Sequence, residues 1–147
     1  MRRIMLCLQI SGLILGVQAA LACAVLAAEK PQWSPTQITD IKDISGKWEG
    51  IMIRTPKSRS DDWVNVSIQD NGDYEFASYR TIGVFNGKGN LAVKDGKAMT
   101  QTERGNVTIQ LFTEKTKGEN MLKAEGKGKD GISYRAELKK AQPRKQK

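Results

Sequence analysis

The sequence predicts an all-β protein: a single antiparallel up-and-down meander closed into a small barrel of about eight strands, preceded by one short helix. Three observations carry that expectation. From Ile44 onward, apolar residues alternate with polar ones in short runs; Gly, Asn and Asp cluster between the runs; and no stretch after Gly46 repeats at helical spacing.

Ahead of that pattern, residues 1–28 open with Arg2 and Arg3 and run apolar from Ile4 to Ala28, broken only by Gln9, Ser11, Gln18 and small residues. A basic start, an apolar stretch and small residues at its end make a bacterial-type export signal, with cleavage near Ala27 or Ala28. The run is also long enough to span a bilayer, so an uncleaved N-terminal anchor is the alternative. The segment ALAC at 20–23 resembles a lipobox, with Ala22 just before Cys23 but Ala20 where leucine is expected. Lipidation of Cys23 is therefore a second route to membrane anchoring.

Both cysteines, Cys7 and Cys23, lie in this leader, and the chain has no histidine. A domain starting near Glu29 is then held by its core without disulfides. It lacks the commonest zinc and iron ligands, a cysteine nucleophile and an imidazole base. No cofactor and no metal are expected.

The formal net charge is +8, but its position decides what it means. Residues 29–138 carry 17 basic against 16 acidic side chains, so the body is nearly neutral. The excess sits in KKAQPRKQK at 139–147, which contains Pro143 and no large apolar residue and reads as a disordered, solubilising tail. Without a basic patch on the body, no nucleic-acid partner is expected. The chain divides into a leader (1–28), a lead-in (29–45), a β domain (46–139) and a basic tail (140–147).

In the lead-in, Ser34 can cap a helix, Pro35 suits its first position and Gln37 stands three after the serine. Ile38, Ile41 and Ile44 then form one apolar stripe, placed to lie as a lid on a larger core. Gly46 ends the helix and starts the first strand. Beyond it, Val64, Val66 and Ile68 oppose Asn65, Ser67 and Gln69. Val107, Ile109 and Leu111 alternate with Thr108 and Gln110, and Ile132, Tyr134, Ala136 and Leu138 oppose Ser133, Arg135 and Glu137. This is the period of antiparallel strands with one face buried and one wet.

Turn sequences DNGD at 70–73, NGKG at 86–89, KDGK at 94–97 and KGEN at 117–120 punctuate the runs. Strands are expected over 46–54, 62–69, 73–80, 82–86, 89–94, 97–103, 106–113, 120–126 and 131–139. The stretch 82–94 reads either as two strands or as one bent at its glycines. Every link is short except TPKSRSDD at 55–62. A meander with little helix to cover it hides its apolar face by curling into a barrel; a sandwich of two small sheets is the alternative. The inward set includes Trp48, Met52, Val64, Val66, Ile68, Tyr74, Phe76, Leu91, Val93, Val107, Ile109, Leu111, Leu122, Ile132, Tyr134, Ala136 and Leu138.

A capped helical lead-in, then Gly46-Lys47-Trp48 at the mouth of the first strand, then an antiparallel meander, resembles the lipocalin and calycin group of ligand-binding barrels. The resemblance implies that Gly46 lets the chain turn tightly into the barrel and that Trp48 lies across its closed end. It also implies a basic residue of the last strand packed over the indole, for which Arg135 is the candidate.

Function is then expected to be binding and not catalysis, in an exported, periplasmic protein. In the first reading a small apolar or amphipathic ligand sits in the barrel mouth, lined by Trp48, Tyr74, Phe76 and Tyr134. In the second the core is filled and the chain faces a protein partner, as a protease inhibitor or envelope scaffold does, through the 55–62 loop and the lead-in around Trp33. A wide interior void favours the first, a packed interior with an exposed apolar rim the second.

Trp63 and Tyr79 fall on the outer face, where an aromatic pair can stack on a sugar ring or a partner. Asp70, Asn71 and Asp73 lack the ordered ligands of a calcium loop and read as turn residues. Glu49, Glu75, Glu103, Glu125 and Glu137 take outward or strand-end positions, and nothing in the pattern brings two of them together for glycoside hydrolysis.

Overall fold

The computed structural model describes residues 30–56, 61–80, 83–102, 105–129 and 131–142. The leader with Cys23, positions 57–60 of the long loop, Glu103 and the tail from 143 lie outside the described residues.

Among the described residues ten strands follow one another: β1 (Trp33–Thr36), β2 (Gly46–Thr55), β3 (Asp62–Ile68), β4 (Asp73–Arg80), β5 (Gly83–Asn90), β6 (Ala92–Lys94), β7 (Lys97–Thr102), β8 (Gly105–Glu114), β9 (Asn120–Gly128) and β10 (Ser133–Lys140). All pairings are antiparallel, and the order across the sheet is β5-β4-β3-β2-β10-β9-β8-β7-β6. The alternating runs therefore form the expected meander, with its first long strand, β2, hydrogen-bonded to its last, β10.

The barrel, however, is not closed. The molecule is a strongly curled half-barrel with a seam between β5 and the β6–β7 hairpin. The cause is local: β5 and β6 are joined by Leu91 alone, and a hairpin needs at least two residues to reverse the chain. The chain bends at Leu91 instead, so that β5 pairs with β4 and β6 with β7. The glycines of GVFNGKGN are strand positions in β5 and not a turn, and the break between the two strands falls at Leu91 and not at a glycine.

The expected helix at the start is also absent; among the described residues the helical structure is one 3₁₀ turn, Ile41–Asp43. Ser34 and Pro35, assigned to its cap and first position, lie in β1 opposite Thr113 and Phe112 of β8. That edge of β8 lies beyond the stretch taken by β7. Its hydrogen bonds outweigh a helix too short to be stable alone. The cap is Asp40, whose carboxylate accepts from the Lys42 N–H at 2.9 Å. Asp43 accepts from the Asp40 and Thr39 N–H groups and the Thr39 hydroxyl, which hold its carboxyl below the usual carboxylate range.

Ile38 and Ile44 flank this turn and are fully buried, with Ile41 packed beside them. Ile38 and Ile44 thus reach the core and Ile41 packs against it from extended chain and a single 3₁₀ turn, and not as the helical stripe that the spacing predicts. The core continues through Trp48, Val64, Ile68, Leu91, Ile109, Leu111, Leu122, Ala136 and Leu138, with Met52, Val66, Tyr74, Val93 and Val107 packed against it.

Candidate functional site

At the covered end, Gly46 enters β2 with φ +111°, a conformation that side chains disfavour, and delivers Trp48 to the floor of the core. Trp48 is 1% exposed, and its indole N–H donates to the Ile44 carbonyl at 2.8 Å. The cation over this ring is Lys140 and not Arg135: the Lys140 ammonium lies 4.4 Å from the ring centroid and is hydrogen-bonded to the Ser45 carbonyl. Burial pushes the Lys140 pKa down. Arg135 points outward and pairs with Glu125 at 3.1 Å. Alternation explains the exchange, since Tyr134, Ala136, Leu138 and Lys140 share the inner face of β10 and Arg135 sits on the other.

The four residues expected to line a ligand do not surround one space. Phe76 lies beside Gly87 of β5 and Tyr74 beside Gly89, each half-buried with its ring over a glycine. Trp48 shares a cross-strand row with Phe76 through Val66. Tyr134 pairs with Arg54, six residues along β2 from Trp48, or about 20 Å at strand rise.

Between them the interior holds a charged cluster. Asp62, 2% exposed, accepts from Ser78 Oγ at 2.7 Å and is ion-paired with Arg54, itself 6% exposed. Arg80 Nε lies 3.2 Å from the same carboxylate oxygen without an aligned hydrogen bond. Its guanidinium covers the Phe85 ring at 4.7 Å. Sequence reasoning overlooked these charges, although parity marks them: Arg54 follows Met52, Asp62 precedes Val64 and Arg80 follows Ser78 at two-residue steps.

Two shallow, open depressions lie on the outer face. One is an open groove of about 1120 Å³ across β2, β3, β4 and β5, and the other, about 530 Å³, crosses β2, β10, β9 and β8. Three cross-strand rows lie on the outer face of β2–β5, and the larger groove is lined by two of them and by Tyr79 of the third. Ile51, Trp63, Tyr79 and Val84 face one another in register and are all exposed. Beside them run Glu49, Asn65, Ala77 and Asn86, then Lys47, Ser67, Glu75 and Lys88.

Asn65 links the first two rows. Its side-chain carbonyl accepts from the Trp63 indole N–H at 3.1 Å, and its amide makes a long 3.4 Å contact with the Tyr79 hydroxyl. The sequence placed Trp63 and Tyr79 on this face. Their register with Ile51 and Val84 became visible only with the pairing.

Among the described residues no group of three His, Cys, Asp or Glu side chains gathers to hold a metal ion. The chain matches no protein-family model and no curated protein.

Proposed function

We propose that this chain is an exported, non-catalytic binding module that meets a macromolecular target across the outer face of β2–β5, with its interior serving as a filled core. The observation that carries this reading is the exposed row Ile51, Trp63, Tyr79 and Val84, which runs in register over the outer face of four strands, with Tyr79 also lining the larger groove. Large apolar side chains gathered in a rimmed patch mark interaction surfaces, whereas the same residues scattered singly carry no meaning.

The inner face supports the same reading. Trp48 is sealed under Lys140 and hydrogen-bonded to the chain, and the other inward aromatics lie over glycines or far along the strands. Likeness to the lipocalin group enters the proposal at the level of scheme: a curled antiparallel sheet with a tryptophan under a basic residue of the last strand.

Sedimentation with isolated envelopes from the cells that make the protein tests the reading. The wild type should pellet with them, and a Trp63→Ser/Tyr79→Ser variant with an unchanged circular dichroism spectrum should stay in the supernatant. Equal sedimentation of the two, or native mass spectrometry showing a small molecule retained at one per chain by both, would overturn it.

A further inference from the structure

Resting on that outer-face reading, we infer that the target is a neutral glycan, bound as a short run of pyranose rings along the Trp63–Tyr79 row with its hydroxyls turned to the Glu49–Asn65–Asn86 row. A pyranose has an apolar C–H face and a rim of hydroxyls. It needs an aromatic platform about one ring wide with hydrogen-bonding groups immediately beside it.

The outer face of β2–β5 has that composition. On one side of the apolar row the next outward position on every strand is a carboxylate, an amide or Ala77, while on the other side β2 carries the exposed Ile53. Ala77 leaves a dip between Tyr79 and Glu75 on β4, flanked by Asn65 and Asn86 in register. Trp63 and Tyr79, 44% and 45% exposed, are cross-strand neighbours, and the polar tip of each lies against the Asn65 side chain.

A protein partner fits the same surface less well. Protein interfaces of ordinary size bury ~800 Å² per partner around a core depleted of charge, whereas here Lys47, Glu49, Glu75 and Lys88 stand within two rows of the aromatics. Those two lysines and two carboxylates cancel, so the groove has no net attraction for a polyanion, and a sulfated, phosphorylated or uronic-acid polymer is disfavoured. Four strands span about 14 Å at ordinary strand spacing, which suits an oligosaccharide better than a single sugar.

Calorimetric titration of the full exported chain decides the matter, with the hexamers of β-1,4-linked N-acetylglucosamine and of β-1,4-linked glucose, the matching monosaccharides, and heparin as probes. At least one neutral hexamer should bind, its monosaccharide far more weakly and heparin not at all. Tyr79→Ala and Asn86→Ala should each lower affinity about tenfold, the equivalent of ~1.4 kcal/mol. Met99→Ala, an exposed apolar residue elsewhere, should change nothing. If Tyr79→Ala misfolds, Asn86→Lys reads the same contact through charge and bulk.

Binding of heparin in preference to both hexamers would overturn the inference. So would failure of both hexamers while envelope sedimentation still depends on Trp63 and Tyr79; that result points to a protein target and leaves the outer-face reading standing. Sedimentation independent of those residues, with no hexamer bound, removes both.

Discussion

Two buried side chains show how one position can matter more than its chemistry suggests. Trp48 fills the covered end, and its indole N–H satisfies the Ile44 carbonyl where the lead-in passes into β2. Asp62 lies at the other end of the same inner face, in contact with Arg54, Arg80 and Ser78. Because a carboxylate removed from water is tolerated only with its partners, Asp62→Ala leaves two guanidinium groups facing each other, one of them deeply buried. The expected loss is ~3–5 kcal/mol. Glu125→Ala removes the exposed pair with Arg135 and should cost only ~0–1 kcal/mol. Urea unfolding of both variants beside the wild type checks the contrast. Equal losses would mean that the interior cluster is solvated and contributes no more than a surface pair.

Among the elements, the pairing of β2 with β10 decides whether the two halves hold together. It joins β3, β4 and β5 on one side to β9, β8, β7 and β6 on the other. Gly50 sits in the middle of it, opposite Leu138, where a Cβ would run into the Glu137 carbonyl oxygen and the Leu138 backbone. Backbone cannot yield as a side-chain tip does, so Gly50→Ala must push the strands apart. We expect a loss of at least ~3 kcal/mol, the upper end of what overpacking costs, measured as a fall in the urea midpoint. An unchanged midpoint would show that the strands are not in this register.

Over the whole molecule, the half-barrel has edges that a closed barrel would lack. The outer edge of β5 and the three-residue β6 border the seam, while β2, β10, β9 and β8 are paired on both sides. Amide hydrogen exchange should follow that order. Protection is expected to be greatest in β2 and β10 and least along β5 and β6, because edge strands open without disturbing the rest. Uniform protection across β5 and β2 would show that the seam is closed in solution. The edge at β5 also bounds the proposed glycan groove, so bound oligosaccharide should slow exchange on β4 and β5 before it affects β9.

The order of strands, the alternation of faces and the burial of Ile38 and Ile44 were legible in the residues themselves, although the helix expected to carry those isoleucines was not formed. They depend on two-residue and three-residue spacing, which is a property of neighbours along the chain. So was the outward placement of Trp63 and Tyr79, the two side chains on which the proposed site rests. What only the tertiary structure decided is whatever depends on which strand lies beside which. It drew Ser34 and Pro35 into β1 on a free edge of β8, and it put Lys140 over Trp48 where Arg135 was expected. Register aligned Ile51, Trp63, Tyr79 and Val84, and the single residue between β5 and β6 left the barrel open. Local spacing fixes the face on which a side chain stands; pairing between distant segments fixes its neighbours, and a binding surface is made of neighbours.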